Sequence, residues 1–264
     1  MPELIDIKLE ENNHVATVVL NRPGQLNALN VQILKDLEVV CSRIEQSDSP
    51  IRALILAGAG DAFCAGADLK YVTDARLVPG AFESYARYLN KVFNRIEELP
   101  VPTIAAIQGY CFAGGLELAL CCDFRIVADN VTMGDQHANF GLVPGGGCTQ
   151  RLPRLIGPSR AKEVLLTGSW LKAAEAEKFG LANQVAPLQS LMETAEAFAA
   201  KFITKSPLTA RVIKRLVDKG MQVDLRSALE MEVLSVVQSI TNSADAAEGL
   251  RAFSERRKPV FVGH

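Results

Sequence analysis

Pro100-Val-Pro-Thr-Ile-Ala-Ala-Ile-Gln-Gly-Tyr-Cys-Phe-Ala-Gly-Gly-Leu-Glu-Leu-Ala-Leu-Cys-Cys-Asp123 is the segment around which the chain is organised. Its residues 103–107 are β-branched or Ala behind a Pro, which predicts a short buried strand ending at Gly109. After a turn, Ala113-Gly114-Gly115 opens a segment too densely apolar for alternation, so 115–122 reads as a buried helix. The glycines lack Cβ and let a ligand approach the backbone. The N–H groups of a helix's first turn point out unpaired toward negative charge. Glu117, three residues after Gly114, lies on the same face of that turn. A carboxylate beside free N–H groups is a chemical arrangement, but a helix-start Glu favoured by the macrodipole looks the same. The stretch alone leaves both open.

A second crossing of the same kind precedes it. Residues 53–56 read as a buried strand, followed by Gly58-Ala59-Gly60-Asp61-Ala62-Phe63-Cys64-Ala65-Gly66-Ala67-Asp68-Leu69. Two Gly-rich passages from strand to helix suggest backbone donors converging on one anion. Further on, Asp135-Gln136-His137-Ala138-Asn139-Phe140-Gly141 carries polar side chains ahead of Leu142-Val143-Pro144-Gly145-Gly146-Gly147 and a helix through 155. By itself His137 is a loop histidine, exposed or satisfied.

Working outward, 5–9 and 15–20 read as a hairpin with His14 solvated in its turn. A loop over 21–29 feeds an amphipathic helix at 31–46. Arg22 in that loop could meet a phosphate or be an ordinary exposed charge. Residues 70–99 read as loop plus helix with Tyr85, Tyr88 and Phe93 in the core, and 124–128 and 131–134 as strands. From 171 strand signals almost vanish, and helices are predicted at 172–179, 188–204, 207–219, 224–240 and 244–255, with Pro207 at a tolerated first position. The expected fold class is α/β. Residues 1–185 form a core that carries the site, and 186–264 a helical region suited to subunit contact.

The 264 residues include 48% hydrophobic and 22% charged, with net charge −2, which gives no general pull toward nucleic acid or a membrane surface. No run approaches the ~18 apolar residues of a membrane span. Met-Pro-Glu-Leu-Ile-Asp at the start has no basic segment followed by an apolar one, so no signal peptide is expected. Cysteines at 41, 64, 111, 121, 122 and 148 form no Cys-x-x-Cys pair. They read as reduced, buried side chains of a cytoplasmic protein, and no metal site is expected.

Asn21-Arg22-Pro23…Leu26-Asn27-Ala28-Leu29, Phe63-Cys64-Ala65-Gly66-Ala67-Asp68-Leu69, Gly109-Tyr110…Gly114-Gly115-Leu116-Glu117-Leu118-Ala119 and Phe140-Gly141-Leu142-Val143-Pro144-Gly145-Gly146-Gly147…Gln150-Arg151-Leu152 resemble the enoyl-CoA hydratase/isomerase (crotonase) superfamily. The likeness runs to Phe253…Arg257-Lys258-Pro259. It implies a crotonase-like spiral of ββα units with a C-terminal helical trimerisation region, often as a dimer of trimers. It also implies an acyl-CoA thioester substrate and no cofactor, coenzyme A being part of the substrate. By position, the N–H groups of Ala67 and Gly114 resemble the donors of an oxyanion hole, worth roughly 3 kcal/mol each toward an enolate. Ala65, Asp68 and Leu69 match positions along the CoA path. Phe253 and Arg256 match a pair that can reach a neighbouring subunit's CoA.

Glu117 matches one of the two catalytic glutamates of the hydratases, and the other falls at His137. The resemblance therefore implies hydration of a 2-enoyl-CoA to a 3-hydroxyacyl-CoA, with a departure at one of the two acid–base positions. A Glu–His pair can do this work, because a nearby carboxylate raises the imidazolium pKa above its reference of about 6.5. Isomerases of the superfamily work with a single carboxylate, and some diketone hydrolases of similar fold use a histidine in this region. Double-bond isomerisation and C–C bond hydrolysis are thus the alternatives. A non-catalytic binding member is the rival of another class, disfavoured by retention of both glycine loops and Glu117.

Overall fold

The computed structural model describes residues 4–264; residues 1–3, where the segment read for a leader begins, lie outside the described residues. The N-terminal hairpin forms as expected from β1 (Ile7–Asn12) and β2 (Val15–Leu20), in register Ile7↔Leu20. Its turn residues Asn13 (φ 47°) and His14 (φ 66°) are both left-handed, the geometry that matches the twist of paired strands. The α1 helix (Val31–Ile44) starts where the Asn30 side chain accepts from the Ile33 N–H.

Three two-strand units then repeat. The first is β3 (Ala53–Gly58), β4 (Ala62–Cys64), α2 (Leu69–Ala75) and α3 (Ala81–Glu97). The second is β5 (Thr103–Ile107), β6 (Tyr110–Phe112) and α4 (Gly114–Leu120), the stretch quoted at the outset. The third is β7 (Phe124–Ala128), β8 (Thr132–Gly134), α5 (Cys148–Ile156) and α6 (Pro158–Thr167). β9 (Leu171–Lys172), α7 (Ala173–Lys178) and β10 (Gln184–Ala186) close the array. The chain ends in α8 (Leu191–Ile203), α9 (Pro207–Gly220), α10 (Leu225–Asn242) and α11 (Ala244–Ser254).

Within each unit the first strand joins a six-stranded sheet, ordered β1-β2-β3-β5-β7-β10, and the second a four-stranded sheet, ordered β4-β6-β8-β9. Strands β2, β3, β5, β7 and β10 run parallel, as do β4, β6 and β8, so each unit advances a spiral by one strand in both sheets. The corners between sheets are tight. Gly109 has φ +56° and a Cβ there would overlap the Asp61 carbonyl oxygen, so no other residue fits. Buried amides satisfy the corner carbonyls: Asn27 Nδ2 donates to Ala59 at 2.9 Å and Ala62 at 2.8 Å, and Gln108 Nε2 to Gly58 at 2.6 Å.

One core lies between the spiral and helices α1, α3, α4 and α5, with Phe63, Phe93, Leu34 and Ile107 fully buried. α8 covers the opposite face of the large sheet, where Leu191, Ala195 and Ala199 meet Ile55, Ile104 and Ile126. α9 and α10 bury no residue in the protomer. Strand signals do not vanish after 171, since β9 and β10 complete the two sheets; segments of two and three residues are too short to show a period. The same brevity hid β6, and α6 follows α5 with only Gly157 between them. All six cysteines are free and buried.

Candidate active site

The two glycine-rich crossings meet. Leu29 pairs with Ala67 in a single parallel bridge. In it the Leu29 N–H donates to the Gly66 carbonyl at 2.8 Å and the Asp68 N–H to the Leu29 carbonyl at 2.9 Å. That pairing uses the groups flanking Ala67 and turns its own N–H to the other side. The loop supplying Leu29 is pinned by Arg22, which donates to the Ala28 carbonyl at 2.6 Å and pairs with Asp68 at 3.1 Å. The arginine left open to a phosphate by the sequence is thus engaged within the chain.

The second donor comes from the turn into α4. Ala113, at φ 48° and ψ −117°, holds a conformation that costs about 1–3 kcal/mol for a residue with a side chain. It swings the chain from β6 into the helix, making Gly114 the first helical residue, with its N–H outside the helical ladder. A Cβ on Gly114 would lie 3.2 Å from the Ala67 nitrogen, so the start of α4 is packed closely against the Ala67 loop. The approach depends on Gly115, where a Cβ would overlap the Cys64 carbonyl oxygen of β4. Gly115→Ala is therefore expected to lose about 1–3 kcal/mol of stability by overpacking, read as a lower urea midpoint at unchanged slope.

Glu117 sits one turn into α4 and is 2% exposed. Its Oε1 accepts from the Gly146 N–H at 2.7 Å and the Cys148 N–H at 3.2 Å. No partner is recorded for Oε2, and among the described residues no buried side-chain oxygen lacks a hydrogen bond. Oε2 therefore faces open space. Burial raises the Glu117 pKa above the usual carboxylate range, against the opposing pull of the Cys148 N–H, the His137 charge and the Gly146 N–H. The tri-glycine turn makes this wrapping possible, since a Cβ on Gly146 would lie 2.5 Å from Oε2 and 2.9 Å from Leu89 Cδ2. Arg151 holds the turn from outside, donating to the Gly146 carbonyl at 2.9 Å while paired with Glu97 at 2.7 Å.

His137 opens a short 3₁₀ turn (His137–Phe140). Its ring Nδ1 lies 2.9 Å and 3.1 Å from the two carboxylate oxygens of Asp135, which is fully buried. Burial of the ring works against its charge, but the Asp135 hydrogen bond, the Asp135 charge and Glu117 outweigh it, leaving the pKa above 6.5. The charge of each acts on the other: His137 pulls the Glu117 pKa down, and Glu117 pushes the His137 pKa up. The sequence marked His137 and Glu117 but not Asp135, nor the N–H groups of Gly146 and Cys148. The signals available were the Asp-x-His spacing and the three consecutive glycines.

The expected CoA contacts divide. Ala65, Asp68 and Leu69 flank Ala67 on one loop. The Ala65 N–H donates to the Leu26 carbonyl at 3.0 Å, Asp68 caps α2 through the N–H groups of Lys70 and Tyr71, and Leu69 is 59% exposed. Phe253, 86% exposed, and Arg256, at φ 55°, lie at the far end of α11. Among the described residues no hydrogen bond or ion pair ties either to that loop.

The family model for enoyl-CoA hydratase/isomerase matches residues 10–264. The short-chain-enoyl-CoA hydratase of Clostridium acetobutylicum is 38% identical over 257 residues, covering 97% of this chain and 97% of the relative. The crotonyl-CoA hydratase of Syntrophomonas wolfei is 36% identical, covering 97% of this chain and 98% of the relative. The crystal structure of an enoyl-CoA hydratase from Bacillus anthracis superposes with a TM-score of 0.93 at 38% identity, covering 98% of this chain and 100% of that one.

Proposed function

This chain belongs to the enoyl-CoA hydratase/isomerase family, and we propose that it adds water across the double bond of a 2-enoyl-CoA to give a 3-hydroxyacyl-CoA. The observation that carries this reading is a buried Glu117 held through Oε1 by two backbone N–H groups on a helix that opens where Gly114 approaches Ala67, with the Asp135-held His137 as the second acid–base group. Polarising the thioester carbonyl toward the Ala67 and Gly114 N–H groups makes Cβ electrophilic and stabilises the enolate that forms.

The hydrogen bonds support the following roles for the remaining groups. Two N–H donors on Oε1 stabilise Glu117 as a carboxylate and leave Oε2 to take a proton from water. Burial lifts its basicity toward the working pH. The hydroxide so generated bonds to Cβ, and the double-bond pair moves to Cα and the thioester oxygen. His137, whose pKa the Asp135 hydrogen bond raises against the effect of burial, gives its Nε2 proton to Cα as the carbonyl re-forms. Transfer of the proton from Glu117 back to His137 restores the site. The step balances with water, substrate and these side chains, and coenzyme A enters only as part of the substrate.

Mass spectrometry of a mixed panel of 2-enoyl-CoA and 3-oxoacyl-CoA thioesters tests this. The expected result is a mass gain of one water on a 2-enoyl-CoA. Isomerised product without mass gain, or cleavage of a 3-oxoacyl-CoA, would replace the reading with isomerase or C–C hydrolase. The chain is proposed to act in the cytoplasm, which its six buried free thiols support. No helix among the described residues is long and apolar enough to cross a membrane.

The same proposal includes assembly as a homotrimer or a dimer of trimers. Ile213 and Val217 on α9 and Leu229, Val233, Val237 and Ile240 on α10 are each more than half exposed in the protomer, a patch of the kind that marks an interface. Phe253 and Arg256 would then serve a neighbour's CoA. Sedimentation at micromolar concentration is expected to show three or six copies, and a monomer would refute the assembly.

A further inference from the structure

Asp135 has no step in the mechanism above, yet it is the fully buried acid of the site. Its Oδ1 accepts from the His137 backbone N–H at 2.8 Å, and both its oxygens reach the ring Nδ1, at 2.9 Å and 3.1 Å. A carboxylate that holds the backbone and the ring of the same residue fixes that residue's side-chain torsions. The two-residue spacing permits this, because an Asp side chain folds back onto the N–H two positions on. Burial and, after it, the Asp135 carboxylate raise the Cys148 thiol pKa, while the Cys148 N–H holds Glu117.

A carboxylate only accepts, so Nδ1 must carry hydrogen in both charge states of the ring. The nitrogen left to exchange a proton with substrate is Nε2. The surroundings favour the cation. Glu117 on α4 acts on the ring through its charge, and Cys148 at the start of α5 is a neutral thiol whose pKa burial raises. Arg151, further along α5, is engaged by Glu97 and the Gly146 carbonyl. On α6, which packs against the 137–140 turn, Arg160, Lys162 and Glu163 are exposed.

We propose that Asp135 is the positioning residue of this site, locking His137 with Nδ1–H on the buried carboxylate and Nε2 toward the pocket. The proposal rests on the reading of His137 as the acid of the hydration, but its test does not need turnover. The chain has 3 histidines, so solid-state nitrogen-15 spectra of histidine-labelled protein can be assigned by subtracting the His137→Gln spectrum. The wild-type ring is expected to titrate above its ordinary value and to be Nδ1-protonated when neutral. In Asp135→Asn the titration should fall below that of wild type, and the high-pH limb of kcat should move down with it. The rate should drop on the order of 10²-fold or more, as when a carboxylate orienting a catalytic imidazole is amidated. In a His137→Gln background the same change should alter kcat by less than about threefold, because Asp135 acts through His137.

A neutral Nε2–H tautomer in wild type would overturn the proposal, and so would unchanged ring titration in Asp135→Asn. Costs that multiply in the double variant would reduce Asp135 to a structural residue and overturn it as well. Should Asp135→Asn not fold, the wild-type titration and tautomer decide alone. A protein that fails to hydrate any 2-enoyl-CoA while showing the expected spectra would reject the reaction and leave the Asp135–His137 lock standing.

Discussion

Glu117→Gln should lower kcat by on the order of 10²–10⁴, the range for loss of a positioned acid or base, and leave KM within a few-fold. That is about 3–5 kcal/mol of barrier. The variant is close to isosteric, and the amide oxygen can still accept from the Gly146 and Cys148 N–H groups. The wrapping turn, the α4 helix and the two N–H donors should therefore survive, and near-ultraviolet circular dichroism should match wild type. What is lost is the free Oε2, replaced by an amide NH2, whose nitrogen is not basic and cannot take a proton from water. Substrate still binds and its carbonyl is still polarised, so the loss falls on kcat. Burial lifts the Glu117 pKa above the usual carboxylate range, so the acid limb of the wild-type profile should lie above that range. Activity should rise as the carboxyl deprotonates, and the limb should be absent from the residual activity of the Gln variant. Retention of a tenth or more of the wild-type rate would remove Glu117 as the base and shift the reading toward polarisation by the N–H pair alone.

What the sequence disclosed follows the range over which its physics acts. β5 and the buried α4 were legible because a β-branched run and a dense apolar run each declare themselves locally. The two loops that meet were legible as two glycine passages, although the reason they meet is distant: Gly115 against Cys64, and Leu29 bridged to Ala67. Asp135 was not legible as a partner of His137, because an Asp in a polar loop is normally solvated and only the fold shows it fully buried. The wrapping of Glu117 was hidden for a similar reason. Three glycines read as a turn, and only the fold shows that the space a side chain would fill holds a carboxylate. Arg22 illustrates the reverse case, since a cation in a loop suggests an anionic ligand until Asp68 is found beside it.

The substitution that separates the reactions of the family is at His137. If His137 is the acid that protonates Cα, His137→Ala should reduce hydration on the order of 10²–10⁴, close to the effect of losing Glu117, because each group supplies one half of the same addition. His137→Glu should restore measurable hydration. The introduced carboxyl would stand between Asp135 and Glu117, and like charges on both sides would keep it protonated as an acid. The pH profiles distinguish the two enzymes. In wild type the acid must be imidazolium, whose pKa lies above 6.5, so activity should fall as pH rises through that pKa. The Glu variant should lack that limb and lose activity where its own carboxyl deprotonates. In an isomerase working through Glu117 alone, His137→Ala would stay within a few-fold of wild type in double-bond migration. Normal hydration of a 2-enoyl-CoA by His137→Ala would reject the paired mechanism, because Glu117 cannot hold the proton it takes from water and deliver another to Cα in the same addition.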